Sequence, residues 1–104
     1  MGYAFVYIIA NVHHTTLYVG VTNDLRTRLW EHFTKQNPRS FSAKYNLSKL
    51  VYFKTFDSID DAIDFEKYIK GKSRKWKEEL ITKMNPEWRD LSDWVGYKKD
   101  KIYK

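Results

Sequence analysis

The sequence predicts an α+β domain, a small three-stranded antiparallel sheet flanked by helices in the order β-β-α-(α)-β-α-α. Three observations carry that prediction. Three runs rich in β-branched and aromatic residues alternate with segments of helical spacing. The clearest helical segments open on Ser, Thr, Asn or Asp, residues that cap a helix N-terminus. Hydrophobic residues make up 42% of the 104, enough to fill the core of one domain.

Tyr3 to Ala10 reads as the first strand. Asn11 to Thr15 interrupts it and Thr16 to Gly20 resumes the pattern, which suggests an antiparallel hairpin. Thr22, Asn23 and Asp24 offer N-caps for a helix over about residues 24–34, where Leu25, Leu29, His32 and Phe33 keep helical spacing. Pro38 lacks an amide hydrogen and ends that element. Residues 39–48 read equally as a short helix or a loop. Lys49 to Phe56 is the third strand, expected to be the most buried. Ser58-Ile59-Asp60-Asp61 resembles a capping box and opens a helix to about Lys70, where Gly71 stops it. Ser73 caps a last helix to about Met84. The domain is expected over 1–95, followed by a basic tail over 96–104.

Composition narrows the function classes. No stretch approaches the roughly 20 apolar residues of a membrane span. The start lacks the basic region and cleavage site of a signal peptide. With no cysteine, disulfides and thiolate metal sites are excluded. A cytoplasmic protein with no membrane partner is the expectation. The net charge of +6 favours an anionic partner. Part of it lies in the tail, as Lys98, Lys99, Lys101 and Lys104. An internal run holds Lys67, Lys70, Lys72, Arg74, Lys75 and Lys77 with no acidic residue, and interleaves Tyr68 and Trp76. That mixture suits phosphate contact and base stacking. The same run also reads as the solvated face of two helices.

Three groups of residues stand in places that need explaining, each with a structural reading beside the functional one; for Arg28 and His32 these are a packed arginine stem and a satisfied core histidine. Glu66 follows Ile59, Ala62, Ile63 and Ile69 on one helix face, so a carboxylate projects from the apolar side. It is either functional or held in a buried ion pair with an arginine. Arg28 and His32 lie four residues apart, neighbours on a helix surface at the edge of the core. Tyr7 and Tyr18 sit in the two arms of the hairpin, where cross-strand contact is possible and ordinary packing is commoner. His13 and His14 fall in the turn and read as exposed rather than as metal ligands.

Taken in order, these residues resemble the GIY-YIG endonuclease superfamily. Phe5-Val6-Tyr7 stands at the first motif and Tyr18-Val19-Gly20 at the second. Thr22, Asp24-Leu25, Arg28 and Glu31-His32 follow as in the family, then Glu66 and the Asn85-Pro86-Glu87 segment. The segment Phe41 to Asn46 matches small bacterial members too. Phe5 departs from the name motif, which has glycine there. The resemblance implies a nuclease in which Tyr7, Tyr18, Arg28, His32 and Glu66 are catalytic, with Gly20 and Asn85 in support. It also implies one divalent cation on Glu66, Mg²⁺ or alternatively Mn²⁺, since a lone carboxylate with retained waters suits a hard ion. Arg28 would hold the scissile phosphate and one tyrosine, Tyr18 in preference, would activate water. His32 would orient Tyr18 or a water. DNA is the expected substrate ahead of RNA, in repair or recombination. Two other classes compete, a silent nucleic-acid-binding module of the same fold and a small protein whose basic face meets an acidic partner. Retention of the full tyrosine–arginine–glutamate set argues against the first, and strong loss of nucleic-acid affinity with salt would count against the second.

Overall fold

The first apolar run forms the centre of the sheet. In the computed structural model, which describes residues 3–99, β1 (Ala4–Ala10) pairs antiparallel on one side with β2 (Leu17–Thr22) and on the other with β3 (Lys49–Phe56), giving the order β2-β1-β3. The helices are α1 (Leu25–Phe33), α2 (Phe41–Lys44), α3 (Ile59–Lys70) and α4 (Arg74–Met84), followed by a 3₁₀ turn at Ser92–Val95. The predicted order and the antiparallel sheet are both present, and the ambiguous stretch at 39–48 contains the single-turn α2. The most buried strand is β1 rather than β3. It has neighbours on both edges and side chains buried on both faces, whereas Lys54 and Thr55 of β3 reach solvent.

Each helix begins where a short polar side chain replaces the missing backbone partner. Asp24, Ser40, Ser58 and Ser73 accept from the amides of Thr27, Ala43, Asp61 and Trp76 respectively. Caps of this kind contribute typically about 1 kcal/mol each. Gly71 ends α3 in right-handed backbone, so the stop there does not use glycine's access to positive φ.

Alternation along β1 divides the core in two. Ala4, Val6, Ile8 and Ala10 pack with Ala62 and Ile69 of α3 and Ile81 of α4. Phe5, Tyr7 and Ile9 pack on the other face with Leu25 and Leu29 of α1, Leu47, Leu91 and Tyr97. The sheet is therefore a middle layer between two helical ones. β3 carries a bulge opposite Ile8 and Ile9, and Val51 and Tyr52 both join the first cluster as a result.

The packed structure runs past the expected boundary at 95. Gly96 turns the chain at φ 88°, a conformation open to glycine. Tyr97 is buried with its ring centroid 5.7 Å from that of Phe33, and Lys99 pairs with Asp90 at 2.6 Å. Gly96–Lys99 thus belong to the globule, because an aromatic ring and an ion pair anchor them. Residues 100–104 of the expected tail lie outside the described residues. Among the described residues no helix is long and apolar enough to cross a membrane.

Candidate active site

Tyr7 is fully buried in the central strand, and a buried phenol hydroxyl needs a partner. It finds one in α1, where Tyr7 Oη lies 2.9 Å from His32 Nε2. The other ring nitrogen, Nδ1, lies 2.6 Å from Ser42 Oγ, and Ser42 is itself 3.2 Å from Ser40 Oγ. The directions of these bonds follow from protonation. Burial, and the Tyr18 phenol beside it, push the Tyr7 pKa well above the usual phenol value, against the opposing influence of Arg28. Burial and the Arg28 charge lower His32 to about 4. Near neutral pH, Tyr7 is therefore a phenol and His32 an uncharged imidazole. Tyr7 donates to Nε2, Nδ1–H donates to Ser42, and Ser42 donates to Ser40, whose oxygen also accepts the Ala43 amide as the cap of α2.

The hairpin register explains Gly20. Tyr7 stands opposite Gly20, and Tyr18 opposite Ile9. The tyrosines are thus diagonal rather than directly paired, with ring centroids 6.3 Å apart on the same face. A Cβ built on Gly20 would lie 2.4 Å from both Cζ and Oη of Tyr7. The Tyr7 ring occupies the space that any side chain at 20 would take. Tyr18 is half-buried on the edge strand, its ring 5.5 Å from that of His32.

Arg28 and His32 do converge with the tyrosines. Arg28 pairs with Glu31 at 3.1 Å, and both line an open cavity of about 320 Å³ together with His32, Ser40 and Ser42. Glu66 comes from α3, which packs on the opposite face of the sheet. Its side chain is only 13% exposed, and the carboxylate is paired with Lys70 at 2.8 Å. The inward position was legible from periodicity; the partner is a lysine one turn away, not an arginine. The same Lys70 ammonium lies 5.9 Å from the Tyr18 ring centroid, linking Glu66 to the site.

A divalent cation fits this donor set in one way. Among the described residues no three His, Cys, Asp or Glu side chains cluster as ligands. Glu66 would act alone, so an ion there would keep most of its water, as Mg²⁺ does. The Lys70 ammonium shows that this carboxylate accommodates a positive charge at contact distance.

Other expected residues lie elsewhere. Asn85 is buried and donates to the carbonyls of Val51 and Arg89 while accepting from the Arg89 amide, so its bonds fasten the segment after α4 to β3. Arg74 donates to the carbonyls of His14 and Thr15 and pairs with Glu78, tying α4 to the β1–β2 turn. Lys72 sits over Tyr68 at 4.5 Å and over Trp76 at 5.7 Å. Lys67 and Lys75 are exposed, and Lys77 is half-buried. The run over 67–77 is therefore not one continuous free stripe. His14 is half-buried, its ring 4.8 Å from that of Trp88 and its Nε2 2.8 Å from Lys49 Nζ. It is not the exposed turn residue expected, because the turn folds back onto α4 and β3. Ser42 was missed altogether, since a lone serine in an ambiguous segment gives no signal.

Comparison with known proteins places this geometry. The family model described as the GIY-YIG catalytic domain matches residues 3–79. A UPF0213 protein of Syntrophus aciditrophicus is 38% identical over 91 residues, covering 84% of this chain and 98% of its own. A second UPF0213 protein, from Limosilactobacillus reuteri, is 30% identical over 78 residues, covering 74% and 80%. The solution NMR structure of a UPF0213 protein from Bacillus halodurans shares the fold, with TM-score 0.54 and 22% identity over 91% of this chain and 98% of that one.

Proposed function

The chain belongs to the GIY-YIG catalytic-domain family, and from that premise we propose that it is a metal-dependent endonuclease cleaving DNA phosphodiester bonds. The observation that carries this reading is the contact of Tyr7 and Tyr18 with His32, which lines one cavity with Arg28, while Lys70, paired with Glu66, lies near the Tyr18 ring. Its selectivity is for DNA structure, or only weakly for sequence, because one small domain offers limited surface for reading a long site. Its setting is cytoplasmic DNA repair or recombination.

The residues divide the work by exposure. Arg28 presents a permanently charged, planar fork to the cavity and binds the scissile phosphate. Tyr7 has no solvent access and spends its proton on His32, so it holds position and does not accept a proton from water. Tyr18 is the phenol that water reaches; once its own proton has left to solvent, its phenolate takes the proton from the attacking water. Glu66 would hold the cation, which would supply neutralisation of phosphate charge and stabilisation of the leaving oxygen. Lys70 must release Glu66 for that to happen.

The Glu66–Lys70 pair also favours a second reading, a binding module whose carboxylate is already satisfied. Incubating wild type and Glu66→Gln with branched, single-stranded and duplex DNA, in Mg²⁺, Mn²⁺ or EDTA, separates the two. Cutting that requires metal and disappears in the folded variant supports the nuclease. Equal binding without cutting by either protein leaves the module.

A further inference from the structure

A short aromatic ladder leaves the candidate site along α2. The Tyr18 ring centroid is 6.0 Å from that of Phe41, and Phe41 is 4.7 Å from Tyr45. Phe41 is 45% exposed and Tyr45 41%. Their orientation is set by the fold. Ser42, Ala43 and Leu47 turn inward and are buried, which forces Phe41 and Tyr45 outward. Ser42 is held by His32, so the same contact that fixes the histidine fixes the ladder. The cavity ends at Ser40 and Ser42, the residues on either side of Phe41.

The segment that carries the ladder is basic, while Glu31 lines the adjoining cavity. Between Glu31 and Asp57 the sequence contains no acidic residue but holds Lys35, Arg39, Lys44, Lys49 and Lys54. Lys44 Nζ lies 5.4 Å from the Tyr45 ring centroid. Flat, part-exposed rings among cations suit a partner with both a π-face and a negative backbone. In a duplex the bases are stacked on each other and their faces are closed. An unpaired strand offers them.

We infer that Phe41 and Tyr45 form a stacking platform for unpaired nucleobases next to the scissile phosphate, so that the preferred substrate has a single-stranded segment at the cut. The inference rests on the nuclease reading for the word scissile only; the platform itself is a binding claim. It assigns recognition to the surface at 39–46, which adjoins the cavity, ahead of the run at 67–77, where Lys70 and Arg74 are held in ion pairs.

The test is fluorescence anisotropy in EDTA with a labelled short oligothymidylate and a blunt duplex. The proteins are wild type, Phe41→Leu/Tyr45→Leu, Phe41→Trp/Tyr45→Trp and Glu66→Gln. Leucine keeps apolar bulk but has no flat face, and circular dichroism melts check that each variant folds. The leucine pair is expected to lose about tenfold or more in affinity for the single strand, with the duplex changed less than about twofold. The tryptophan pair and Glu66→Gln should bind the single strand at least as well as wild type. The platform is overturned if wild type does not bind the oligothymidylate, if the leucine pair binds it undiminished, or if strand and duplex weaken equally. Cleavage assays in Mg²⁺ keep the two claims apart. Loss of single-strand binding in the leucine pair with no cutting by wild type sustains the platform and sinks the nuclease. Cutting by wild type with undiminished binding in the leucine pair does the reverse.

Discussion

The aliphatic face of the sheet and the tyrosine face are built from alternate residues of the same central strand, yet they solve different problems. On the first, Val6 and Ile8 meet Ala62, Ile69 and Ile81, and the central strand itself contributes only aliphatic side chains. On the second, Tyr7 is just as buried but brings a hydroxyl into the core. That hydroxyl fixes His32, His32 fixes Ser42, and Ser42 anchors α2. One face is interchangeable packing. The other is a chain of dependencies in which each group is placed by the one before it. The difference teaches why Tyr7, His32 and Ser42 of the candidate site hold one arrangement, since buried polar networks that are fully satisfied specify one geometry.

The comparison can be broken first on the aliphatic side. Ile8→Ala should cost about 2–5 kcal/mol of stability by opening a cavity. Urea denaturation will show it as a lower midpoint, and the His32 titration in the remaining folded protein should be unmoved. Gly20→Ala attacks the other face and should cost about 1–3 kcal/mol by overpacking against Tyr7. Here the NMR titration of His32 should shift as well, because the Tyr7 ring must move. An unshifted titration would show that the ring tolerates the methyl and that Gly20 is not its support.

A third prediction concerns pH. The unfolded chain takes up the His32 proton near pH 6.5, whereas the folded protein holds it off until about pH 4. The unfolded state therefore binds more protons between those values. This contribution is complete above about pH 6.5, falls as pH drops through the window, and levels off below about 4. After discounting for the solvent that reaches the ring, the loss is on the order of 1 kcal/mol. Denaturation midpoints across that range should lose this slope in His32→Gln. The smallest effect is expected at the turn, where Arg74→Ala removes two hydrogen bonds to exposed carbonyls and should cost about 0.5–1 kcal/mol in the same assay.

Much of this was legible from local pattern. The caps at Asp24, Ser58 and Ser73 announce their helices, and the order of elements follows from them. The inward position of Glu66 followed from helical periodicity alone. What was hidden depends on register and on contacts distant in sequence. A hairpin can be read without knowing that Tyr7 faces Gly20 and not Tyr18. The pairing of His32 with Ser42 spans ten residues through a segment too short to show any period. Composition could not reveal which cations of the 67–77 run the fold had already engaged, because Arg74 finds its carbonyls about sixty positions away. The deep burial of β1 likewise depends on β3, over forty residues on, closing its second edge.

The overlap of Tyr7 with the missing side chain of Gly20 has a consequence for how such chains can diverge. Two residues that share one volume are a single unit of selection. Exchanging Tyr7 for phenylalanine brings no relief to a larger residue at 20, since Cζ and Cε1 of the ring already stand within 3 Å of that position. Accepting a methyl there requires displacing the ring, and with the ring moves the hydroxyl that aligns the histidine. The tyrosine of one strand and the glycine of the next are therefore coupled by geometry, and a side chain at either position has to be weighed against the other.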